Sequence, residues 1–308
     1  MARSERECLC SGAANDIPRL IRGLAADAGR RIPLAGTLNF RDVGGYPTAD
    51  GGTIGWRRLL RSDALHRLDG DAVVVLAKLD LRTVLDLRTS EEVRIAPSPP
   101  DGLIPPGAVT THISLVGEDL TALPADLDGI YRFIVDRRGA AIGAAVRFLA
   151  KPGGLPALVH CSAGKDRTGI VVAFVLAAVG VPDQVIAADY ALSGRYLDPT
   201  QTPAIGRVRA DTGMGDRLTE ALMASPPELI AGILARVRQQ AGTIEGYLTS
   251  HGVTAAELGA LRTALVTGGP GRWPGDGDDC AAGGRGRVGA GRAASEGRRD
   301  DCHGSRRA

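Results

Sequence analysis

The run His160-Cys161-Ser162-Ala163-Gly164-Lys165-Asp166-Arg167-Thr168-Gly169 constrains this chain more than any other stretch, because of what flanks it. Leu155 to His160 reads as a short buried strand, and Thr168 to Val179 as a strongly apolar helix that starts at once. A strand that empties through a glycine-containing loop into a helix points a row of backbone N–H groups at one spot, and the helix dipole adds positive charge there. The backbone of Ser162, Ala163, Gly164, Lys165, Asp166 and Arg167 is therefore expected to cradle a phosphate group.

The side chains of the loop suit chemistry on that phosphate. Cys161 stands at its head, where the same N–H groups and dipole favour a thiolate, the nucleophile needed for in-line attack at phosphorus. Arg167 closes the loop and can grip two phosphoryl oxygens through its planar fork, which a lysine could not do. Thr168 is expected to donate its hydroxyl to the sulfur, and His160 to buttress the loop. The nucleotide-binding alternative fails, because Gly164-Lys165 is followed by Asp166 rather than Ser or Thr. Gly284, Gly286 and Gly289 have dinucleotide-fingerprint spacing but no strand before them.

The rest of the chain supplies the setting of an α/β domain. Strands are expected at Trp56–Leu60, Arg82–Leu87, Val109–Leu115 and Leu155–His160, and helices at Asp71–Leu79 and Pro124–Ala150, the latter broken near Gly139. After Thr168 a mostly helical pattern runs to Val266. Pro199, Pro203, Gly206, Gly213 and Gly215 interrupt the stretch 198–225, which reads either as a mobile cover or as a surface connection. Residues 1–30 are expected to be a flexible segment in which Ile17 to Ala28 can form a short amphipathic helix. Residues 31–267 form the catalytic domain, and the Gly/Arg-rich stretch 268–308 reads as a disordered tail.

Charge narrows the partners. The formal net charge is +2, and the tail alone carries eight Arg against six acidic residues, so the body has no basic field suited to nucleic acid. Five scattered cysteines do not form a disulfide framework, and a reducing, cytoplasmic setting fits them. Neither a signal peptide nor a membrane span is expected, although export by a route without a signal peptide would leave no mark. Nothing in the sequence speaks to the oligomeric state.

Four segments in order, Asn39 to Tyr46, Leu60-Arg61-Ser62, Leu85-Asp86-Leu87-Arg88 and His160 to Gly169, make the chain resemble the atypical bacterial tyrosine/serine phosphatases, of the mycobacterial protein tyrosine phosphatase B type. Ala188-Asp189-Tyr190 and Gly246-Tyr247-Leu248 extend the likeness over Leu34 to Val266. The resemblance implies a protein tyrosine phosphatase-like fold with a central, mostly parallel sheet flanked by helices, a four-stranded parallel core and a helical C-terminal part. It also implies metal- and cofactor-independent action on phosphotyrosine, phosphoserine/threonine and phosphoinositides. Lys165 and Asp166 are the family's hallmark, Lys165 as an extra cation facing the pocket or as a solvated rim side chain.

Two residues compete for the general acid: Asp86, which matches the acid proposed for the family, and Asp166, the loop aspartate that can replace it. Asn39 and Arg41, with Asp42, are expected to border the pocket, or else to stabilise a turn. Arg88 is expected to meet substrate or to pair with Glu91 or Glu92. The competing functions are a catalytically weak phosphate-reading module of the same fold and, with less support, a sulfur-transfer enzyme.

Overall fold

A computed structural model describes residues 16–97, 102–124, 126–197 and 224–268. Its centre is built by alternation of apolar side chains along three short strands, β3 (Leu59–Ser62), β4 (Thr83–Asp86) and β6 (Ala157–His160), which pair in parallel with Leu60, Leu158 and Val84 side by side. Leu60, Val84 and Leu158 belong to one apolar cluster, with Phe40, Leu65 and Leu76, whereas Leu59, Leu85 and Val159 belong to another. Successive side chains of a strand point to opposite faces, so this sheet is buried on both. Strands β1 (Arg41–Asp42, antiparallel to β3) and β5 (Val109–His112, parallel to β4) complete the order β1-β3-β6-β4-β5, while β2 (Thr53–Ile54) pairs with β7 (Val266–Thr267) in a separate two-stranded sheet. The four parallel strands are those expected.

Helix α2 (Ala72–Lys78) lies on the smaller cluster through Ala72 and Leu76. Helix α6 (Asp166–Ala178) leaves the end of β6 and runs through the larger one, with every residue from Thr168 to Ala177 buried. Around it pack α4 (Leu127–Arg137), α5 (Gly139–Ala150), α7 (Asp183–Tyr196), α8 (Pro227–Ala241), α9 (Ile244–Ser250) and α10 (Ala255–Leu265). The helical C-terminal part of the domain is thus present. The break near Gly139 falls at Arg138, and a β-carbon on Gly139 would lie 2.1 Å from the His251 ring.

Local chemistry moved several boundaries. Trp56 is not in a strand: Arg57 has φ of 61°, its N–H is bound by the Asp42 carboxylate at 2.8 Å, and β3 starts only at Leu59. Helix α6 opens at Asp166 rather than Thr168, which places Asp166 and Arg167 in its first turn. The N-terminal segment is not flexible throughout, because α1 (Ile17–Ala26) is capped by Asp16 and buries Leu20 and Leu24 against α7. An apolar pair four residues apart is enough to dock one helix face. Residues 1–15, most of the expected cover (198–223) and the tail from 269 lie outside the described residues. Among the described residues no helix is long and apolar enough to cross a membrane.

Candidate active site

Ser62, Asp86 and His160 are the last residues of three adjacent parallel strands, in register with one another. The carboxyl end of such strands is where open α/β sheets place their sites. From there the chain runs through the loop to Asp166, and its carbonyls are held from outside. Leu87 N–H donates to His160 O at 2.9 Å, and Ala64 N–H to Ser162 O at 3.0 Å. Asn39 Nδ2 donates to Ala163 O and Gly164 O, both at 3.0 Å. Arg61 Nη2 donates to Gly164 O at 2.8 Å and Lys165 O at 3.3 Å. In a trans peptide the C=O of one residue and the N–H of the next point opposite ways. Pinning the carbonyls of Ser162 to Lys165 outward therefore turns the N–H groups of Ala163 to Asp166 inward. Gly164 is required for the turn: its φ is 65°, and a β-carbon would lie 2.3 Å from Ser62 O.

Cys161 is buried at the head of this cradle with a free thiol. Arg167, in the first turn of α6, carries its guanidinium back to the loop, where Nη2 lies 3.3 Å from Ser162 Oγ. Both terminal nitrogens meet Glu92, Nη1 to Oε2 at 2.5 Å and Nη2 to Oε1 at 2.8 Å, and the Ser162 hydroxyl also donates to Oε1. Glu92 is itself fixed by a capping box at the start of α3 (Ser90–Ile95), where Thr89 N–H donates to Oε2 at 2.8 Å. Burial raises the Glu92 carboxyl, but Arg167, the Ser162 hydroxyl and the Thr89 amide prevail and hold it at about 2.

His160 is fully buried with Nδ1 3.5 Å from Cys161 O and Nε2 3.8 Å from Asp86, and burial pushes its imidazole down to about 4. It packs beneath the loop as a neutral ring. The expected bond from Thr168 to the sulfur is not made: its Oγ1 is buried without a hydrogen-bond partner among the described residues. A hydroxyl in the first turn of a helix can rotate, so its partner is not dictated by the backbone.

The two acid candidates sit in unlike surroundings. Asp86 is enclosed, with Arg88 Nε 3.0 Å from Oδ1, Arg88 Nη2 2.7 Å from Oδ2 and Arg88 N–H 3.1 Å from Oδ1. Burial raises its carboxyl, but the Arg88 guanidinium outweighs it and lowers the pKa, which suits an ionised structural anchor better than a proton donor. Arg88 is thereby paired, with Asp86 and with Ala96 O at 2.8 Å rather than with Glu91 or Glu92. Asp166 is 30% exposed, accepts from the Tyr131 hydroxyl at 2.8 Å, and stands beside Lys165 at 3.4 Å. Lys165 is no solvated rim residue, being 1% exposed with Nζ donating to Ala224 O at 2.8 Å.

Asn39 and Arg41 do not border the pocket; both are fully buried behind the loop. Arg41 donates to Asp189 Oδ1 (3.1 Å), Asp189 O (2.9 Å), Ser193 Oγ (3.0 Å) and the Asn39 side-chain oxygen. Arg61 reaches the other Asp189 oxygen at 2.6 Å, and Tyr46 OH donates to Oδ1 at 2.8 Å. A buried guanidinium needs such a partner, so Arg41 is drawn inward to Asp189 and away from the site. Asp42 has the turn role, accepting from Gly44 N–H at 2.8 Å and from Arg57 N–H. Arg61 and Asp189 were visible as parts of the recurring segments, without a role. Glu92, Asp63 and Tyr131 carried no signal of function beyond being polar.

A family model described as "Tyrosine phosphatase family" matches residues 32–267. The chain is 32% identical to the triple specificity protein phosphatase PtpB of Mycobacterium tuberculosis, over 76% of this chain and 98% of that protein. It is 31% identical to a tyrosine-protein phosphatase of Nostoc commune, over 67% of this chain and 73% of that protein. The solved structure of Pseudomonas aeruginosa TpbA is 19% identical, with a TM-score of 0.30 over 56% of this chain and 91% of that one. The loop geometry, the parallel sheet that carries it and the match over 32–267 agree, and the chain belongs to the tyrosine phosphatase family.

Proposed function

We propose that this chain hydrolyses phosphomonoesters through a phosphocysteine intermediate, with phosphotyrosine in proteins as a substrate. The observation that carries the reading is the outward anchoring of the loop carbonyls by Asn39, Arg61 and Ala64, which leaves inward N–H groups in front of Cys161. Phosphate oxygens take those N–H groups and the Arg167 fork, and Cys161 Sγ attacks phosphorus as the ester P–O bond opens. Asp166 gives its proton to the leaving oxygen. Water then attacks the phosphocysteine, its proton passes to Asp166, and Sγ leaves as a thiolate. The unpartnered Thr168 hydroxyl can turn to the sulfur at that step.

Asp166 is assigned the acid role over Asp86 because it is partly exposed at the loop, while Asp86 is locked on Arg88. The name of the M. tuberculosis relative supports extending the substrates to phosphoserine/threonine and phosphoinositides. The test is phosphate release from a phosphotyrosine peptide, a phosphoserine peptide and a phosphoinositide panel, for wild type and Cys161→Ser. Binding without release from any substrate would replace this reading with the phosphate-reading module, and equal rates in the variant would remove Cys161 from the mechanism. Asp86→Ala and Asp166→Ala are compared in kcat/KM on good and poor leaving groups, the proton donor being the one whose loss in that constant is confined to poor ones.

A further inference from the structure

Three helices converge on the carboxylate of Asp166. Tyr131, from the first half of α4, is fully buried and its hydroxyl lies 2.8 Å from Asp166 Oδ1. The same hydroxyl lies 2.8 Å from the hydroxyl of Tyr190, from the middle of α7, and the two rings meet edge to face at 82° with centroids 6.2 Å apart. A phenol has a single hydrogen, so a chain with Tyr131 donating to Asp166 has Tyr190 donating to Tyr131. Burial, followed by the nearby Asp166 charge, pushes the Tyr131 phenol well above its ordinary range, so it keeps its hydrogen at any working pH.

We propose that Tyr131 is the positioning residue for the general acid, fixing Asp166 Oδ1 as a permanent acceptor so that Oδ2 carries the proton delivered to the leaving oxygen. The proposal rests on the acid assignment to Asp166 made above. A carboxylic acid has one proton and two oxygens, and a donor bound to one oxygen places the proton on the other. The second donor near Oδ1 is Lys165 Nζ at 3.4 Å, itself tied to Ala224 O, so both neighbours act on the same oxygen. Arg167, the next residue of the same helix, also acts on the Asp166 charge. Placing the acid on the first turn of α6 and then bracing it from α4 and α7 removes the side-chain freedom that would otherwise be lost in reaching the transition state. Tyr131 and Tyr190 exchange no proton with substrate. The hydrogen that moves is that of Asp166, returned by the water that opens the phosphocysteine.

The proposal predicts a signature that a packing residue would not give. Tyr131→Phe keeps the ring and removes only the hydroxyl. On phenyl phosphate, a poor leaving group, kcat/KM, which reports the steps up to P–O cleavage and not the shared hydrolysis of the phosphocysteine, should fall about tenfold, while on dinitrophenyl phosphate it should stay within about twofold. Tyr190→Phe should shift the leaving-group ratio the same way and less. Asp166→Asn, measured alongside, should show the leaving-group dependence in full. If Asp166→Asn shows it and Tyr131→Phe instead loses both substrates equally, or neither, the positioning role is wrong and the acid stands. If Asp166→Asn shows none, the acid assignment falls and takes the proposal with it. Urea unfolding of each variant identifies a folding defect, and Tyr190→Phe then decides: no shift in its leaving-group ratio overturns the proposal.

Discussion

Glu92 and Arg167 face each other as a two-pronged ion pair at 2.5 and 2.8 Å, which joins the N-terminus of α3 to the phosphate loop. The pair holds the guanidinium fork where an incoming phosphate would meet it. Glu92→Ala leaves the Arg167 side chain more mobile, without that brace, and kcat/KM should fall about 10- to 100-fold, equivalent to the ~1.5–3 kcal/mol of a charge-assisted hydrogen bond. Steady-state kinetics on a phosphotyrosine peptide check this. Unchanged kcat/KM would show that Arg167 needs no brace.

The same pair makes a prediction in pH. Glu92 has its carboxyl depressed to about 2 in the fold, from an ordinary 4.5. A depressed carboxyl contributes stability that is complete above the unfolded value and fades as pH falls through the folded one. Glu92→Gln should therefore be less stable than wild type at pH 7, with the gap closing between about 4.5 and 2. Urea titrations at pH 7 and pH 3 compare the two.

Asp63 works in the opposite sense. Burial, against the N–H groups of Asn39 and Leu38, raises its carboxyl to about 6. A raised carboxyl contributes stability below its unfolded pKa that is lost as pH climbs through the folded value. Wild type should lose stability between about pH 4 and 7, by about 3 kcal/mol at most from this group, and Asp63→Asn should flatten that slope. Parallel slopes in the two proteins would discard the assignment.

Asn39 acts on the loop from behind. Asn39→Ala leaves the carbonyls of Ala163 and Gly164 without one donor each, at about 1–3 kcal/mol for a buried acceptor left short. Part of that should surface as weaker anion binding, on the order of tenfold in the dissociation constant of inorganic phosphate measured by calorimetry. Arg41→Lys, farther behind, should lower the unfolding midpoint more than it lowers phosphate affinity, since its contacts are with Asp189 and Ser193.

Gly164→Ala tests the turn itself. With φ at 65° and Ser62 O 2.3 Å from the added carbon, the loop has to move. Phosphatase activity should drop at least tenfold, at a cost of about 1–3 kcal/mol for a non-glycine residue held in that conformation. A variant of wild-type rate would mean the loop tolerates another backbone path.

Residues near one another in the chain were legible before the structure. The strand, the glycine turn and the apolar helix that bring Cys161 and Arg167 together lie within 24 residues of one another. Their order alone implies inward N–H groups and a positive helix end. The α/β class, the places of four strands and the helical second half follow from apolar period and spacing in the same way, while the parallel run of the four strands was implied by the resemblance. Strand ends were less legible: Trp56 reads as strand by residue type, but a side chain in another segment, Asp42, fixes the turn that excludes it.

Only tertiary packing decided where the polar side chains point. Asn39 meets Ala163 across 124 residues and Glu92 meets Arg167 across 75, and no local rule foretells either pair. Asp86 and Asp166 are equal as carboxylates in a sequence. The difference between them is that the fold buries one on a guanidinium and leaves the other partly open beside a phenol. The strength of a charge depends on its dielectric surroundings and partners, and these exist only once distant segments have packed. The chain's own order thus determined that Cys161 would stand at the head of a glycine loop running into a helix. The assembled structure determined which side chains hold the loop carbonyls outward and which aspartate stays partly open beside the loop.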